Sequence, residues 1–207
     1  MAYLKKISFD SEIILFMSNI AILASGSGSN ALKIIEHFKK SKIADVKLVV
    51  SNKKDAGVLN HARNNGVESL VFENNIWSDS PDLVVRALEE RQIDFIVLAG
   101  FLRKIPDELI EKYPKAMVNI HPALLPKYGG KGMYGINVHN AVKANGEKQT
   151  GITIHWVTAD YDEGEIIFQT SAEVSPDDDA ASIQKKVQKL EHEYFAPVIE
   201  SIMKKNA

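Results

Sequence analysis

The sequence predicts an α/β fold: a doubly wound, mostly parallel twisted sheet with helices on both faces and an antiparallel strand pair in its C-terminal part. Three observations predict it. From residue 19 onward short β-branched runs alternate with helical stretches, the mark of a parallel sheet wrapped by helices. The first strand-to-helix turn is "SGSGSN" (25–30), small residues placed where doubly wound folds bind anions. After Pro122 the alternation lapses, and two extended runs follow, joined across a short acidic turn.

Each element has a local reason. "NIAILAS" (19–25) reads as a buried strand, and "ALKIIEHFKK" (31–40) as a helix that puts Leu32, Ile35 and Phe38 on one face. "DVKLVVS" (45–51) is a second strand, followed by a helix over 56–65 that stops at Gly66. "ESLVF" (68–72) is a third strand, and Pro81 opens the helix "PDLVVRALEE" (81–90), where its missing N–H costs nothing. "DFIVLAG" (94–100) gives a fourth strand, "PDELIEKY" (106–113) a short helix and "KAMVNI" (115–120) a fifth strand. The next 15 or so residues, "PALLPKYGGKGMYGI" (122–136), show neither period, and unstructured loops of about that length are usually lids or binding loops. "NVHNAVKAN" (137–145) is helical, "TGITIHWVT" (150–158) and "EIIFQTSAEV" (165–174) form a strand pair joined across "ADYDEG" (159–164), and residues 179–204 form a long amphipathic helix. Internal repeats and low-complexity segments are absent from the sequence.

At 207 residues the chain has the length of one domain, assigned to residues 17–207. Hydrophobic residues make up 45%, charged residues 25%, and the formal net charge is −2, the profile of a soluble globular chain. That balance gives no reason to expect nucleic acid as a partner. The absence of cysteine excludes disulfides, thiolate metal sites and cysteine nucleophiles, and fits a cytoplasmic setting. Residues 1–16 combine lysines with apolar stretches, but Asp10 and Glu12 interrupt the run and no small-residue cleavage pattern follows, so they read as a leader or upstream extension rather than a secretory signal. No apolar run approaches the ~20 residues a membrane helix needs, so no membrane association is expected.

The glycine loop invites comparison with nucleotide sites. Gly26 and Gly28 lack the third glycine of the dinucleotide fingerprint, and the second strand ends "SNKKD", with Ser51 and Asn52 where a ribose-binding acid would be expected. A triphosphate loop would need a Lys-Ser or Lys-Thr pair, which is missing. A nest for one phosphate remains, with Gly28, Ser29 and Asn30 as donors. A plain βα turn capped by Ser29 or Asn30 accounts for the same residues, and the two readings are compatible.

In "MVNIH" (117–121), side chains at i and i+2 share a face, so Asn119 and His121 point one way while Ile120 points into the core. Both lie at the carboxyl end of a strand, the edge where open α/β sheets keep their sites. An amide N–H and an imidazole there make an oxyanion site with a proton-moving group. Pro122 stiffens the chain after His121, and the glycines from Gly129 to Gly135 let the following loop move as a lid. A charged imidazole needs a carboxylate to raise its pKa. The turn offers Asp160, Asp162 and Glu163, and spacing does not choose among them; acids before a glycine are also ordinary turn formers. His155 reads equally as a buried structural histidine or a ligand; His139, near the loop's end, reads first as a helix-surface residue and second as a visitor to the site; His37, His61 and His192 read as helix residues. No group has metal-ligand spacing, and no metal is expected.

"ILASGSGSN", "IVLAGFLRKIP", "VNIHPALLPKY", "GITIHWVTADYDEGEIIFQ" and "VQKLEHEYFAPVI" together resemble, in order and spacing, the phosphoribosylglycinamide formyltransferases of purine biosynthesis, from about Asn19 to near Met203. The resemblance implies formyl transfer from 10-formyltetrahydrofolate to the amine of glycinamide ribonucleotide. It implies Asn119, His121 and Asp162 as the catalytic group, and Gly28, Ser29, Asn30 and Glu191 as contacts for the phosphate and ribose. It implies Leu102, Arg103, Lys104 and Ile105 on one side of the folate, with Asn119 and the segment Thr158, Ala159, Asp160 and Tyr161 on the other. It further implies small-molecule substrates; a monomer or weak homodimer is expected, since no exposed apolar seam announces a larger assembly. The sequence departs from the family in two places. Family members often carry an arginine near the start of the third helix that helps hold the folate, and only the poorly aligned Arg86 is available; the loop "KYGGKGMYGINVH" is also longer than usual. Three other readings share parts of the pattern: a formyltetrahydrofolate hydrolase, a tRNA-directed formyltransferase, which would need a basic C-terminal domain, and a non-catalytic phosphosugar-binding module.

Overall fold

The computed structural model describes residues 17–41 and 43–206, so the expected leader at 1–16 lies outside the described residues. Among these residues seven strands, β1 (Ser18–Leu23), β2 (Ala44–Ser51), β3 (Glu68–Val71), β4 (Phe95–Leu98), β5 (Met117–His121), β6 (Gln149–Trp156) and β7 (Ile166–Glu173), form one sheet in the order β3-β2-β1-β4-β5-β6-β7. The first five are parallel, while β6 runs antiparallel to both β5 and β7. The expected C-terminal pair is therefore the end of a three-strand antiparallel run continuous with the parallel sheet.

Among the described residues seven helices cover the sheet: α1 (Ser29–Phe38), α2 (Val58–Asn64), α3 (Asn74–Asp79), α4 (Pro81–Glu89), α5 (Asp107–Lys112), α6 (Ile136–Ala144) and α7 (Ala180–Asn206). Strand alternation sorts the core into two layers. Ile20, Ile22, Val97, Val118, Ile120 and Ile154 face α1, α2, α6 and α7. Ala21, Leu23, Ile96, Leu98 and Met117 face the other way, against Trp77 of α3, Val84 and Leu88 of α4 and Leu109 of α5.

Helix α3 has no counterpart in the sequence reading. Six residues, "NNIWSD", are too few to display a period, and the helix is fixed from outside: Trp77 is buried and its indole N–H donates to the Phe72 carbonyl at 2.9 Å. The strands β1 and β4 end at Leu23 and Leu98, short of their apolar runs, although Ala24 N–H still bonds the Val50 carbonyl at 3.0 Å and Ala99 N–H the Leu23 carbonyl at 2.9 Å before the loops at the carboxyl edge begin.

The sheet order places a switch point between β1 and β4: from β1 the chain winds outward through β2 and β3, then returns to build β4 and β5 on the other side. The loops leaving β1 and β4 diverge there and open a crevice, the usual ligand position in such sheets. Helix α7 forms one wall, anchored by Ile183, Val187, Phe195 and Ile199, all at most 1% exposed. Phe195→Ala leaves a cavity under that wall and is expected to lower unfolding free energy by about 3–5 kcal/mol, measured by urea denaturation; a loss below about 1 kcal/mol would show that α7 is not held by this packing.

Candidate active site

A cavity of about 510 Å³ occupies the crevice. Its walls include the loop after β1 (Gly26–Asn30), the segment after β4 (Gly100–Ile105), the end of β5 (Asn119–Pro122), the loop tip Gly130–Gly135, the turn Val157–Asp162 and the inner face of α7. The size suits one elongated organic ligand pair rather than a single ion.

Asn119, His121 and Asp162 meet on one wall. Asn119 pairs across the sheet with His155, and His121 with Thr153; directly opposed residues of an antiparallel pair share a face and stand close enough to bond. The Asn119 amide nitrogen lies 3.1 Å from His155 Nε2 and donates to Asp162 Oδ1 at 3.4 Å. His155 Nδ1–H donates to the Trp156 carbonyl at 2.9 Å, and its Nε2 stands 3.5 Å from Asp162 Oδ1. His121 Nε2–H donates to the Tyr128 carbonyl at 2.7 Å, and its Nδ1 stands 3.4 Å from Asp162 Oδ2. That same oxygen accepts the Gly130 N–H at 2.9 Å. Of the three turn acids, Asp162 is the one that reaches His121; Asp160 lies exposed on the rim, and Glu163 is exposed outside the cavity lining.

The turn reaches this position through its backbone. Asp162 takes φ +58, a left-handed conformation that aspartate tolerates better than most residues. Gly164 lets the chain pass close to β6: a Cβ there would stand 1.7 Å from the Trp156 carbonyl oxygen. No rotation of a flexible side chain relieves a clash with backbone, so any larger residue at 164 displaces both Asp162 and His155.

Burial sets the protonation of the group. It pushes the His121 pKa below its ordinary value, against the Asp162 charge and the Tyr128 carbonyl, which raise it. The expectation that Asp162 keeps His121 charged is therefore corrected for the resting site, because the desolvation of a ring only 4% exposed outweighs one carboxylate. Burial also acts on Asp162 and would push its pKa up, but bonding from His155, the His121 charge and the Gly130 N–H together hold it below the usual carboxylate range. The resting pair is a carboxylate facing a neutral imidazole whose Nδ1 can take a proton.

The remaining residues expected at the site line the same cavity. Gly28 has φ +81 and begins α1, whose first N–H groups carry no side-chain cap. A Cβ at Gly28 would come within 2.6 Å of Val58, so packing alone already requires glycine there. Asn30 donates to Glu191 of α7 at 3.0 Å, and its own carbonyl oxygen is buried without a partner. Burial raises the Glu191 pKa, and the Asn30 amide opposes that. Ser29 accepts from Gln188 of α7 at 3.2 Å. On the opposite side Leu102 is 46% exposed and Ile105 5%, with Arg103 and Lys104 exposed beside them. The Leu102 N–H is fixed by Ser25 Oγ at 2.9 Å, and Ser25 is held by Asn52 at 2.6 Å. Thr158, Ala159, Asp160 and Tyr161 form an exposed facing rim.

Arg86 is absent from the cavity lining; it pairs with Asp82 at 2.9 Å on the outer face of α4. The expected lid is only partly free. Leu125 N–H bonds Thr153 Oγ1 at 3.0 Å, Tyr128 O–H bonds Glu147 at 2.9 Å and Gly130 bonds Asp162, which leaves the stretch from Lys131 to Gly135 as the part not tied to the sheet by these bonds. His139, expected on a helix surface, is instead 2% exposed and lines the cavity. Together with His155 and Gln188 it is a site residue that the sequence reading did not select. The β5–β6 register would have found His155, and the spacing Gln188–Glu191, one helical turn, would have found Gln188. Among the described residues no group of three His, Cys, Asp or Glu could hold a metal ion, and no helix is long and apolar enough to cross a membrane.

Residues 18–199 match the Formyl transferase family. The chain is 43% identical over 188 residues, 88% of its length, to a chloroplastic phosphoribosylglycinamide formyltransferase of Arabidopsis thaliana and 40% identical to that of Vigna unguiculata. It spans 64% and 60% of those relatives' own lengths. Among solved structures it resembles phosphoribosylglycinamide formyltransferase from Streptococcus pneumoniae, with a TM-score of 0.80 and 34% identity over 90% of this chain and 99% of that one. It also resembles glycinamide ribonucleotide transformylase 1 from Symbiobacterium toebii, with a TM-score of 0.84 and 28% identity over 91% of this chain and 88% of that one.

Burial of His139 yields a stability test. Its folded pKa, pushed down to about 4 by burial and then by the His121 charge, lies below the unfolded value of 6.5. Between the two only the unfolded chain takes up a proton, so stability is present above 6.5 and is lost as pH falls through this window. Going from pH 7 to 4.5, the protein is expected to lose about 2 kcal/mol more than His139→Phe; parallel losses in urea titrations would contradict that burial.

Proposed function

The chain belongs to the formyl transferase family, and from that premise we propose that it transfers the formyl group of 10-formyltetrahydrofolate to the amine of glycinamide ribonucleotide, a step of purine biosynthesis. The observation that carries the reading is the single cavity that joins an uncapped helix start, the Asn119–His121–Asp162 group and an exposed apolar segment at Leu102. The names of the relatives favour the same donor and acceptor classes.

In this reading the N–H groups around Gly28, Ser29 and Asn30 bind the phosphate at the positive end of α1. Glu191 contacts the ribose. Leu102 to Ile105 and Thr158 to Tyr161 hold the folate between them. With Arg86 turned away, Arg103 and Lys104, which line the cavity beside Leu102, take over the anionic tail of the folate.

An amine of this type has a pKa of about 8, so a useful fraction is neutral near pH 7. Its nitrogen attacks the formyl carbon, the N–C bond forms, and the formyl oxygen becomes an oxyanion. Asn119 turns its long-bonded N–H from Asp162 toward that oxygen. His121 Nδ1 takes the proton shed by the amine, and the imidazolium is then held by Asp162 at 3.4 Å and the Tyr128 carbonyl at 2.7 Å. It returns the proton to the folate nitrogen as the old C–N bond breaks, so protons balance without external acid. The stretch from Lys131 to Gly135 closes the mouth and excludes water, which would otherwise hydrolyse the donor. The proposal treats residues 17–207 as one domain working in the cytoplasm on small molecules, as a monomer or weak homodimer, without metal.

The test is formyl transfer from 10-formyltetrahydrofolate measured with and without glycinamide ribonucleotide. Turnover dependent on the ribonucleotide is expected; equal turnover without it would identify a hydrolase, and none with either a binding module. In single-turnover kinetics His121→Ala is expected to slow the chemical step about 100- to 1000-fold, and chemistry near the wild-type rate would sink the assigned role.

A further inference from the structure

His139 is a buried titratable group that the chemistry above does not use. It lies on α6, 2% exposed, and contributes to the cavity wall. Its Nδ1 is enclosed and has no hydrogen-bond partner. Val138 and Val142 beside it on α6 are buried apolar residues, so the packing at this point is already hydrocarbon. An imidazole in such a place loses stability relative to an apolar side chain of similar size, because a buried polar atom without a partner keeps its desolvation cost. Contact with a ligand would offset that cost.

Nδ1 faces no acceptor, so a proton there would be a buried N–H left unbonded, and the proton belongs on Nε2, the ring nitrogen that is not enclosed. Burial keeps the ring neutral at physiological pH, so it offers one N–H without adding a charge beside the reacting group. Its place in the fold says which substrate it meets. Helix α6 packs on α7, the helix whose Gln188 and Glu191 bond Ser29 and Asn30 at the phosphate end of the cavity. The folate segments, Leu102–Ile105 and Thr158–Tyr161, belong to other walls.

We propose that His139 Nε2–H donates a hydrogen bond to a carbonyl or hydroxyl oxygen of the amine substrate, between its phosphate and its reacting amine, and so helps to select that substrate. This rests on the function proposed above, since it takes glycinamide ribonucleotide as the ligand of the α7 side.

Steady-state kinetics and thermal melting of the full-length protein, His139→Phe and His139→Gln test it. His139→Phe keeps volume and removes the orphan atom; it is expected to raise the KM for glycinamide ribonucleotide about tenfold, a lost hydrogen bond's worth, to leave the folate KM within about twofold and to melt no lower than wild type. His139→Gln, which retains an N–H donor, is expected to recover part of the lost affinity. An unchanged ribonucleotide KM in His139→Phe, both KM values rising together, or a lowered Tm with unchanged KM each overturns the contact while leaving the proposed function standing. Wild-type protein that does not turn over the ribonucleotide overturns that function and this contact with it.

Discussion

The arrangement depends on one carboxylate. Asp162 sits where the ends of β5 and β6 and the loop after β5 converge, and its two oxygens receive Asn119 on one side and the Gly130 N–H on the other, with His121 and His155 at 3.4 and 3.5 Å. Three separate segments of chain, β5, β6 and the loop at Gly130, are oriented by a group of two atoms. A carboxylate this far from water is tolerated only with such partners, and they are close enough to hold its pKa below the usual range despite burial. The demand runs both ways: remove the charge, and the Asn119 amide and the Gly130 N–H lose their common acceptor, while a proton arriving on His121 loses its counter-charge.

The backbone is shaped to bring that charge in. The β5–β6 pairing puts Asn119 opposite His155, so the two polar side chains form one patch on the face that Met117 continues as hydrocarbon. The β6–β7 connection is kept tight by Gly164, pressed against the Trp156 carbonyl, and by the left-handed backbone of Asp162. On the other side of the cavity the supports differ in kind but serve a similar end: Ser25 and Asn52 tie the Leu102 N–H to the ends of β1 and β2. The ligand-facing loops are thus held by hydrogen bonds to strand ends rather than by their own packing, and rigid strands transmit position to them.

How much of this the sequence disclosed follows from the range of the interactions. The parallel strands and most of the helices were legible because apolar period and turn residues are local; α3 was not, because its burial through Trp77 is a tertiary fact. Asn119 and His121 could be paired from alternation within one strand. His155 could not, since its partner lies 36 positions away and only the antiparallel register of β6 brings them together. The choice of Asp162 among three turn acids came from resemblance, and geometry places its carboxylate against His121. The sign of the His121 shift is not legible in the sequence, because a neighbouring charge can be inferred from it, whereas the depth of burial that outweighs that charge cannot.

Burial and charge therefore act on His121 in opposition, and that balance makes it useful: the ring rests neutral, yet a proton arriving at Nδ1 meets a carboxylate already in place. The most direct measurement is the titration of the His121 ring nitrogens by ¹⁵N NMR in the wild type and in Asp162→Asn. The account predicts a wild-type pKa below the ordinary histidine value and a further fall in Asp162→Asn, where burial acts unopposed. An imidazolium at pH 7 in the wild type, or a pKa that does not move when Asp162 loses its charge, would contradict it.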